Sequence, residues 1–239
     1  MDARVLVTGG SRGIGRAVVE RLSGDGYQVV NFDLQPPEQP ARGEQYLHAD
    51  VSDEAALRQA LAQALAGGPI TRLVNNAGIV RPQPIGRVST EDLRAVMDVN
   101  LAAAVLCAQA LVPGMAEAGE GRIVNISSRA ALGKTERIAY ASSKAALHGF
   151  TKALALEAGA QGITVNAVGP GPIATELFTR VNPPGAPATQ RILETIPLRR
   201  MGLPAEVAHM VASLLDARAG FVTGQVVYVC GGMTVGLAS

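Results

Sequence analysis

Aromatic side chains are scarce in this chain, at 3% of 239 residues, which leaves no obvious stacking platform for a flat polycyclic ligand. Cysteine is nearly missing. Cys107 and Cys230 are the only two, each in an apolar segment and neither at metal-ligand spacing. Buried thiols are therefore expected rather than a disulfide or a metal site. Charged residues make up 17%, and 21 basic against 20 acidic side chains leave +1 with no dense Lys/Arg run. Nucleic acid and anionic membrane surfaces are not expected partners on that balance. No apolar run is read as reaching the roughly 18 residues of a membrane span. The start, Met1-Asp2-Ala3-Arg4, lacks the layout of a signal peptide, so a cytoplasmic setting is expected. With no internal repeat and no Ser/Gly linker, residues 1–239 read as one domain. A 48% hydrophobic content gives it enough apolar mass for a buried core.

What the chain does have is alternation. Arg4–Thr8 is a short β-branched run, followed by a glycine turn, a helical pattern over Ile14–Leu22 and a second strand over Tyr27–Phe32. A strand, a turn, a helix and a strand within about 30 residues predict a βαβ unit with parallel strands. His48 fits a further strand. Helix Asp53–Ala66, strand Arg72–Asn75, a long helix Thr90–Ala118 and strand Arg122–Ile126 follow. Helix Ala139–Ala158, strand Thr164–Ala167, helix Pro204–Leu215 and strand Val226–Val229 complete the chain. The expected fold is α/β, a doubly wound, seven-stranded parallel sheet of the Rossmann type flanked by helices. Two stretches break the pattern. Gln35–Gly43 is rich in proline, and Glu176–Arg200 carries Pro183-Pro184-Gly185 and Pro187, which predicts a mobile loop with a short helix.

The turn Thr8-Gly9-Gly10-Ser11-Arg12-Gly13-Ile14-Gly15 stands where the first strand passes into the first helix. Gly9 permits the sharp turn, Gly13 lets backbone approach a pyrophosphate, and Gly15 allows helix and sheet to pack closely. The free N–H groups of the helix start then favour the phosphates. Asp33 lies 18 residues after Gly15 at the end of the second strand. Its carboxylate suits the adenosine ribose hydroxyls and repels a 2′-phosphate, which favours NAD over NADP. Arg12 argues the other way, because a guanidinium there could pair with such a phosphate.

Tyr140 and Lys144 are four residues apart, so on a helix they share one face. A free tyrosine, with a pKa of about 10, is a poor base at neutral pH. A cation about 4 Å away at an effective dielectric near 20 favours the phenolate by roughly 4 kcal/mol. That could bring the phenol near pH 7, less the cost of burying an anion. Such a tyrosine exchanges a proton with an alcohol or a ketone.

Seven segments in order carry a resemblance: Thr8–Gly15, His48–Val51, Asn75–Gly78, Asn100, Asn125–Ser128, Tyr140–Lys144 and Pro170–Thr175. Over nearly its whole length the chain resembles the short-chain dehydrogenases/reductases. The resemblance implies hydride transfer between a nicotinamide and an alcohol or carbonyl carbon. It implies Tyr140 as acid/base, Lys144 as the cation that lowers its pKa and holds the nicotinamide ribose, both residues thus also binding the cofactor, and Ser128 as hydrogen-bond partner of the substrate oxygen. It also implies Asn100 as support for a water on the proton path. For the cofactor it implies Asp50 and Val51 at the adenine, Asn76, Ala77 and Gly78 beside the adenosine ribose, and Pro170, Gly171, Ile173 and Thr175 near the nicotinamide. Relatives commonly place the serine 13 residues before the tyrosine; here that position is Ser127, and Ser128 lies 12 before. We prefer Ser128 with a shortened loop Arg129–Ala139, since a loop absorbs a missing residue more easily than a strand changes register. Most relatives also carry a helix where Gln35–Gly43 stands, and this stretch cannot easily form one.

The expected substrate is a small aliphatic alcohol or carbonyl compound, with a hydroxyacyl thioester among the candidates. The arginines Arg180, Arg191, Arg199 and Arg200 either receive an anion or are solvated and paired with Glu176 and Glu194. The Ala/Leu-rich faces of the two long helices (Leu101, Val105, Ala108; Leu147, Phe150, Leu154) point to a homotetramer or homodimer. Two alternatives stay open: an NADPH-dependent ketoreductase of the 3-oxoacyl reductase type, and a non-catalytic NAD-binding sensor or scaffold.

Overall fold

The computed structural model describes residues 3–235. Seven strands form one all-parallel sheet in the order β3-β2-β1-β4-β5-β6-β7. They are β1 (Arg4–Thr8), β2 (Gln28–Asp33), β3 (Gln45–His48), β4 (Arg72–Asn75), β5 (Gly121–Ile126), β6 (Ile163–Pro170) and β7 (Val226–Val229). The helices are α1 (Gly13–Gly24), α2 (Glu54–Ala66), α3 (Thr90–Met97), α4 (Ala103–Glu117), α5 (Ile138–Ala158), α6 (Glu176–Val181), α7 (Pro187–Glu194) and α8 (Pro204–Leu215).

Strand periodicity builds two cores. In β1, Val5 and Val7 face a cluster with Val18, Leu22, Val211 and Leu215 of α1 and α8. Leu6 faces the other side, with Leu57 of α2, Leu111 and Met115 of α4, and Ala155 of α5. Side chains that alternate across the sheet require helices on both faces, so the sheet is doubly wound. The strand order reverses between β1 and β4, and the crevice beyond their carboxyl ends is where such sheets bind ligands.

The long helix expected over Thr90–Ala118 is present over Thr90–Glu117, with a π-helical turn, Asp98–Ala102, joining α3 to α4. Two expectations are corrected. The stretch expected to be a loop with one short helix holds two, α6 and α7, the second started by Pro187 at its first turn. Thr90–Glu117, 28 residues, is long and apolar enough by length and composition to cross a membrane, contrary to the reading that no such run exists. Part of it packs against the sheet, where Cys107, Leu111 and Met115 are fully covered. Gln35–Gly43 forms no helix, as expected.

Candidate active site

The glycine-rich turn is shaped by polar groups on β2. Asn31, fully buried, accepts from Gly10 N–H at 3.0 Å and donates to Ser11 Oγ and to Glu44 Oε1. Glu44 in turn pairs with Arg16 of α1 at 2.8 Å and accepts from Ala41 N–H, tying down the proline-rich segment. Sequence reading missed this network. The signal for it was an asparagine inside the otherwise apolar run Val29–Phe32.

Gly9 and Gly13 have φ of +68° and +58°, left-handed conformations that only glycine adopts without strain. A Cβ on Gly15 would sit 1.9 Å from Gly9 O, so the helix can approach the turn this closely only as glycine. A Cβ on Gly13 would meet Thr175 Cγ2 at 3.4 Å, which brings the β6 turn against the glycine turn. α1 has no side-chain cap and no acidic residue in its first turn. Unsatisfied N–H groups at an uncapped helix start, facing glycine, fit a pyrophosphate.

Asp33 is fixed beside this turn: Oδ2 accepts from Ser11 N–H at 3.0 Å and Oδ1 from Gln35 N–H at 3.3 Å. His48 stands opposite it in the β2–β3 ladder. Arg12 is exposed and has no ion-pair partner among the described residues. Asp50, which precedes α2, is held below the ordinary carboxylate range by hydrogen bonds from the Ser52 hydroxyl and N–H. Val51 follows, half-buried.

A cavity of about 220 Å³ opens next to the glycine turn. It brings together Ile14, Asn76, Gly78, Ser128, Tyr140 and Lys144 with Pro170, Gly171, Ile173 and Thr175. Gly9, Ser11, Arg12, Gly13, Gly15, Asp33, Asp50, Val51, Ala77 and Asn100 do not line it. Ser127, the alternative serine, also lines the cavity, as do Ile126 and Phe178 of α6, to which no site role was given beforehand.

The two serines part at the end of β5. The Ser127 hydroxyl turns toward α5, 2.9 Å from Lys144 O and 2.7 Å from His148 Nε2. Ser128 accepts from Ala130 N–H and lies beside the phenol of Tyr140, favouring its anion. The geometry therefore sets Ser128 at the phenol. Asn76 Nδ2 donates to Thr8 O and Gly9 O, stitching the β4 turn to the glycine turn.

Asn100, in the π turn, is buried and fully engaged: it accepts from Ile79 N–H and donates to Ile79 O and Ser143 Oγ. A Cβ on Gly78 would come within 3.2 Å of Lys144 Nζ and 3.3 Å of Asn100 Oδ1, so a side chain there would press on both.

Lys144 departs from the expected arrangement. Its ammonium donates to Ile126 O at 2.8 Å and stands 5.8 Å from the centre of the Tyr140 ring. Complete burial pushes its pKa down to about 8. The phenol is not lowered. Burial raises it, and the Ser128 hydroxyl and the Arg137 charge only partly offset that. Lys144, with one of its three protons given to Ile126 O and its ammonium 5.8 Å from the ring centre, leaves burial as the dominant influence on the phenol.

Both cysteines are free and buried, with burial pushing the Cys107 thiol up to about 12. Of the loop arginines, Arg180 pairs with Glu176, Arg199 donates to Glu194 O and Arg200 pairs with Glu206.

A family model described as Enoyl-(Acyl carrier protein) reductase matches residues 9–234. The (2S)-[(R)-hydroxy(phenyl)methyl]succinyl-CoA dehydrogenase subunit BbsD of Thauera aromatica is 39% identical over 240 residues, 96% of each chain. An acetoacetyl-CoA reductase of Shinella zoogloeoides is 39% identical over 239 residues, 97% of this chain and 98% of that protein. Among solved structures, a blue fluorescent protein from a metagenomic library, in complex with NADPH, superposes with a TM-score of 0.87 at 36% identity, covering 98% of both chains.

Proposed function

The chain belongs to the short-chain dehydrogenase/reductase family, and on that premise we propose that it moves a hydride between NAD(H) and the CH–OH or C=O group of a small aliphatic or hydroxyacyl substrate. One observation carries the reading: Ser128, Tyr140 and Lys144 meet in a single cavity with the β4 and β6 turns that flank the glycine-rich turn. A nicotinamide held by these residues would be the hydride donor or acceptor. Tyr140 gives its proton to a carbonyl oxygen in reduction and takes one from an alcohol in oxidation. Ser128 donates a hydrogen bond to the same oxygen as negative charge grows on it. The start of α1 holds phosphate, and Asp33 takes the ribose hydroxyls.

Asp33 supports NAD, since its fixed carboxylate would face a 2′-phosphate with like charge. A second reading, an NADPH-dependent ketoreductase acting on 3-oxoacyl thioesters, is favoured by the exposed Arg12. The acetoacetyl-CoA reductase and the NADPH-bound structure favour it too. A non-catalytic sensor has less support, because it has no use for a grouped serine, tyrosine and lysine. The two free thiols suit a cytoplasmic setting. We assign a homotetramer or homodimer to the outward faces of α4 and α5, where Leu101, Val105, Phe150 and Leu154 are only partly covered and Leu156 is exposed. Ala108 and Leu147, expected on those faces, lie in the core.

The test is absorbance at the reduced nicotinamide band with secondary alcohols, ketones, and 3-hydroxyacyl and 3-oxoacyl thioesters, each with both cofactors. A lower KM for NADH than for NADPH supports the proposal, and Asp33→Ala narrows that gap. The reverse preference gives the site to the ketoreductase reading. Binding of NADH with no turnover across the panel favours the sensor.

A further inference from the structure

The seam between β5 and α5 sets the distance between the two polar groups of the cavity, because Ser128 follows β5 and Tyr140 lies on α5. Three contacts close it. Lys144 Nζ donates to Ile126 O at 2.8 Å, the Ser127 hydroxyl donates to Lys144 O at 2.9 Å, and His148 Nε2 lies 2.7 Å from that hydroxyl. Ser127 is itself 2% exposed, and its N–H donates to Val168 O on β6 at 2.7 Å. Successive steps of four residues put Tyr140, Lys144 and His148 on one stripe of α5. The His148 ring stands edge-on to Tyr228 of β7, their centroids 6.4 Å apart.

A hydroxyl has one proton to give, and the Lys144 carbonyl can only accept. Both contacts are satisfied when Ser127 donates to the carbonyl and His148 donates its Nε2 proton to Ser127. Burial and the nearby Lys152 charge hold His148 below the usual histidine range, so at neutral pH it carries one proton. We propose that His148 is a positioning residue: by donating to Ser127 it locks the end of β5 onto α5 and fixes the Ser128 hydroxyl relative to the Tyr140 phenol. It touches neither substrate nor cofactor in this role. The inference rests on the oxidoreductase reading for its consequence, since a misplacement of about 1 Å in a reacting constellation can cost about a hundredfold in rate. The hydrogen bond itself stands independently of that reading.

Two measurements test it. Nitrogen NMR of labelled histidine, assigned by subtracting a His148→Gln spectrum, is expected to show His148 protonated on Nε2, with a slowly exchanging proton that exchanges faster in Ser127→Ala. Protonation on Nδ1, or exchange unchanged by Ser127→Ala, overturns the proposal without reference to activity. In kinetics, His148→Leu is expected to lower kcat about tenfold or more while KM for the dinucleotide stays within about twofold. His148→Gln, which keeps a terminal N–H donor, recovers most of that loss. Ser127→Ala combined with His148→Leu is expected to be no worse than the weaker single variant, as for two residues acting through one bond. Equal losses in His148→Leu and His148→Gln, or additive losses in the pair, contradict the role. Where Tyr140→Phe leaves turnover untouched, the oxidoreductase reading fails while the exchange experiment still decides the seam.

Discussion

Ser127 and Ser128 show how much one position decides. Spacing alone favoured Ser127 and loop shortening favoured Ser128; the strand end turns only Ser128 toward the phenol. Ser128→Ala is expected to lower kcat by roughly 10²- to 10³-fold, the usual loss of an oxyanion-stabilising donor, with dinucleotide affinity unchanged. Lys144 makes a second prediction through its charge. Its folded pKa, about 8, lies below the 10.5 of an ordinary lysine, so the unfolded chain binds more protons between those values. Stability from this group is therefore full above pH 10.5 and is lost as pH falls through 8. The parent is expected to gain roughly 3 kcal/mol relative to Lys144→Met across that window, at about 1.4 kcal/mol per pKa unit, measured by denaturant unfolding of both proteins. Tyr140 has the opposite sign. Burial raises its pKa, so the phenol keeps its proton through neutral pH. Carbonyl reduction is expected to run at pH 7, and alcohol oxidation to rise with pH toward 10 and beyond, in initial-rate profiles of both directions.

At the scale of elements, the βαβ unit was legible because glycine spacing and strand patterning coincide there. β4, α8 and β7 fall at the residues expected, Arg72–Asn75, Pro204–Leu215 and Val226–Val229. The π turn was not legible. Leu101, Val105 and Ala108 keep an apolar helical pattern through it, and the extra residue shows only in the backbone. Its role is visible in Asn100, which bridges Ile79 and Ser143. Asn100→Ala orphans buried groups on both neighbours and is expected to cost about 2–3 kcal/mol in urea unfolding. The Arg16–Glu44–Asn31 network was equally hidden, since its partners come from α1, β2 and a proline-rich loop. Glu44→Ala leaves Arg16 with only the exposed Glu20 as ion-pair partner and is expected to lower stability by about 1–3 kcal/mol in urea unfolding. The same variant should weaken dinucleotide binding in a fluorescence titration, because Asn31 shapes the Gly10–Ser11 turn.

For the whole molecule, the parallel sheet was readable from alternation, and its consequence follows from topology: the strand order reverses between β1 and β4, and the site forms there. Its lining runs from Ile14 through Asn76, Ser128 and Tyr140 to Thr175, so the cavity depends on contacts far apart in sequence. That is why the site's membership was legible while its hydrogen bonding was not. The position of Lys144 shows this most plainly, since helical spacing placed it near Tyr140 but could not show that one of its protons goes to Ile126 O. A light-scattering mass near four times, or twice, that of the chain is expected for the assembly proposed on α4 and α5, and a monomer mass contradicts it. The central claim is that Tyr140 exchanges the proton that accompanies hydride transfer. Its most direct measurement compares the parent with Tyr140→Phe on one carbonyl substrate, following reduced nicotinamide, alongside the dinucleotide Kd of each. The account predicts a loss in kcat on the order of 10²- to 10⁴-fold with Kd within about twofold; turnover equal to the parent contradicts it.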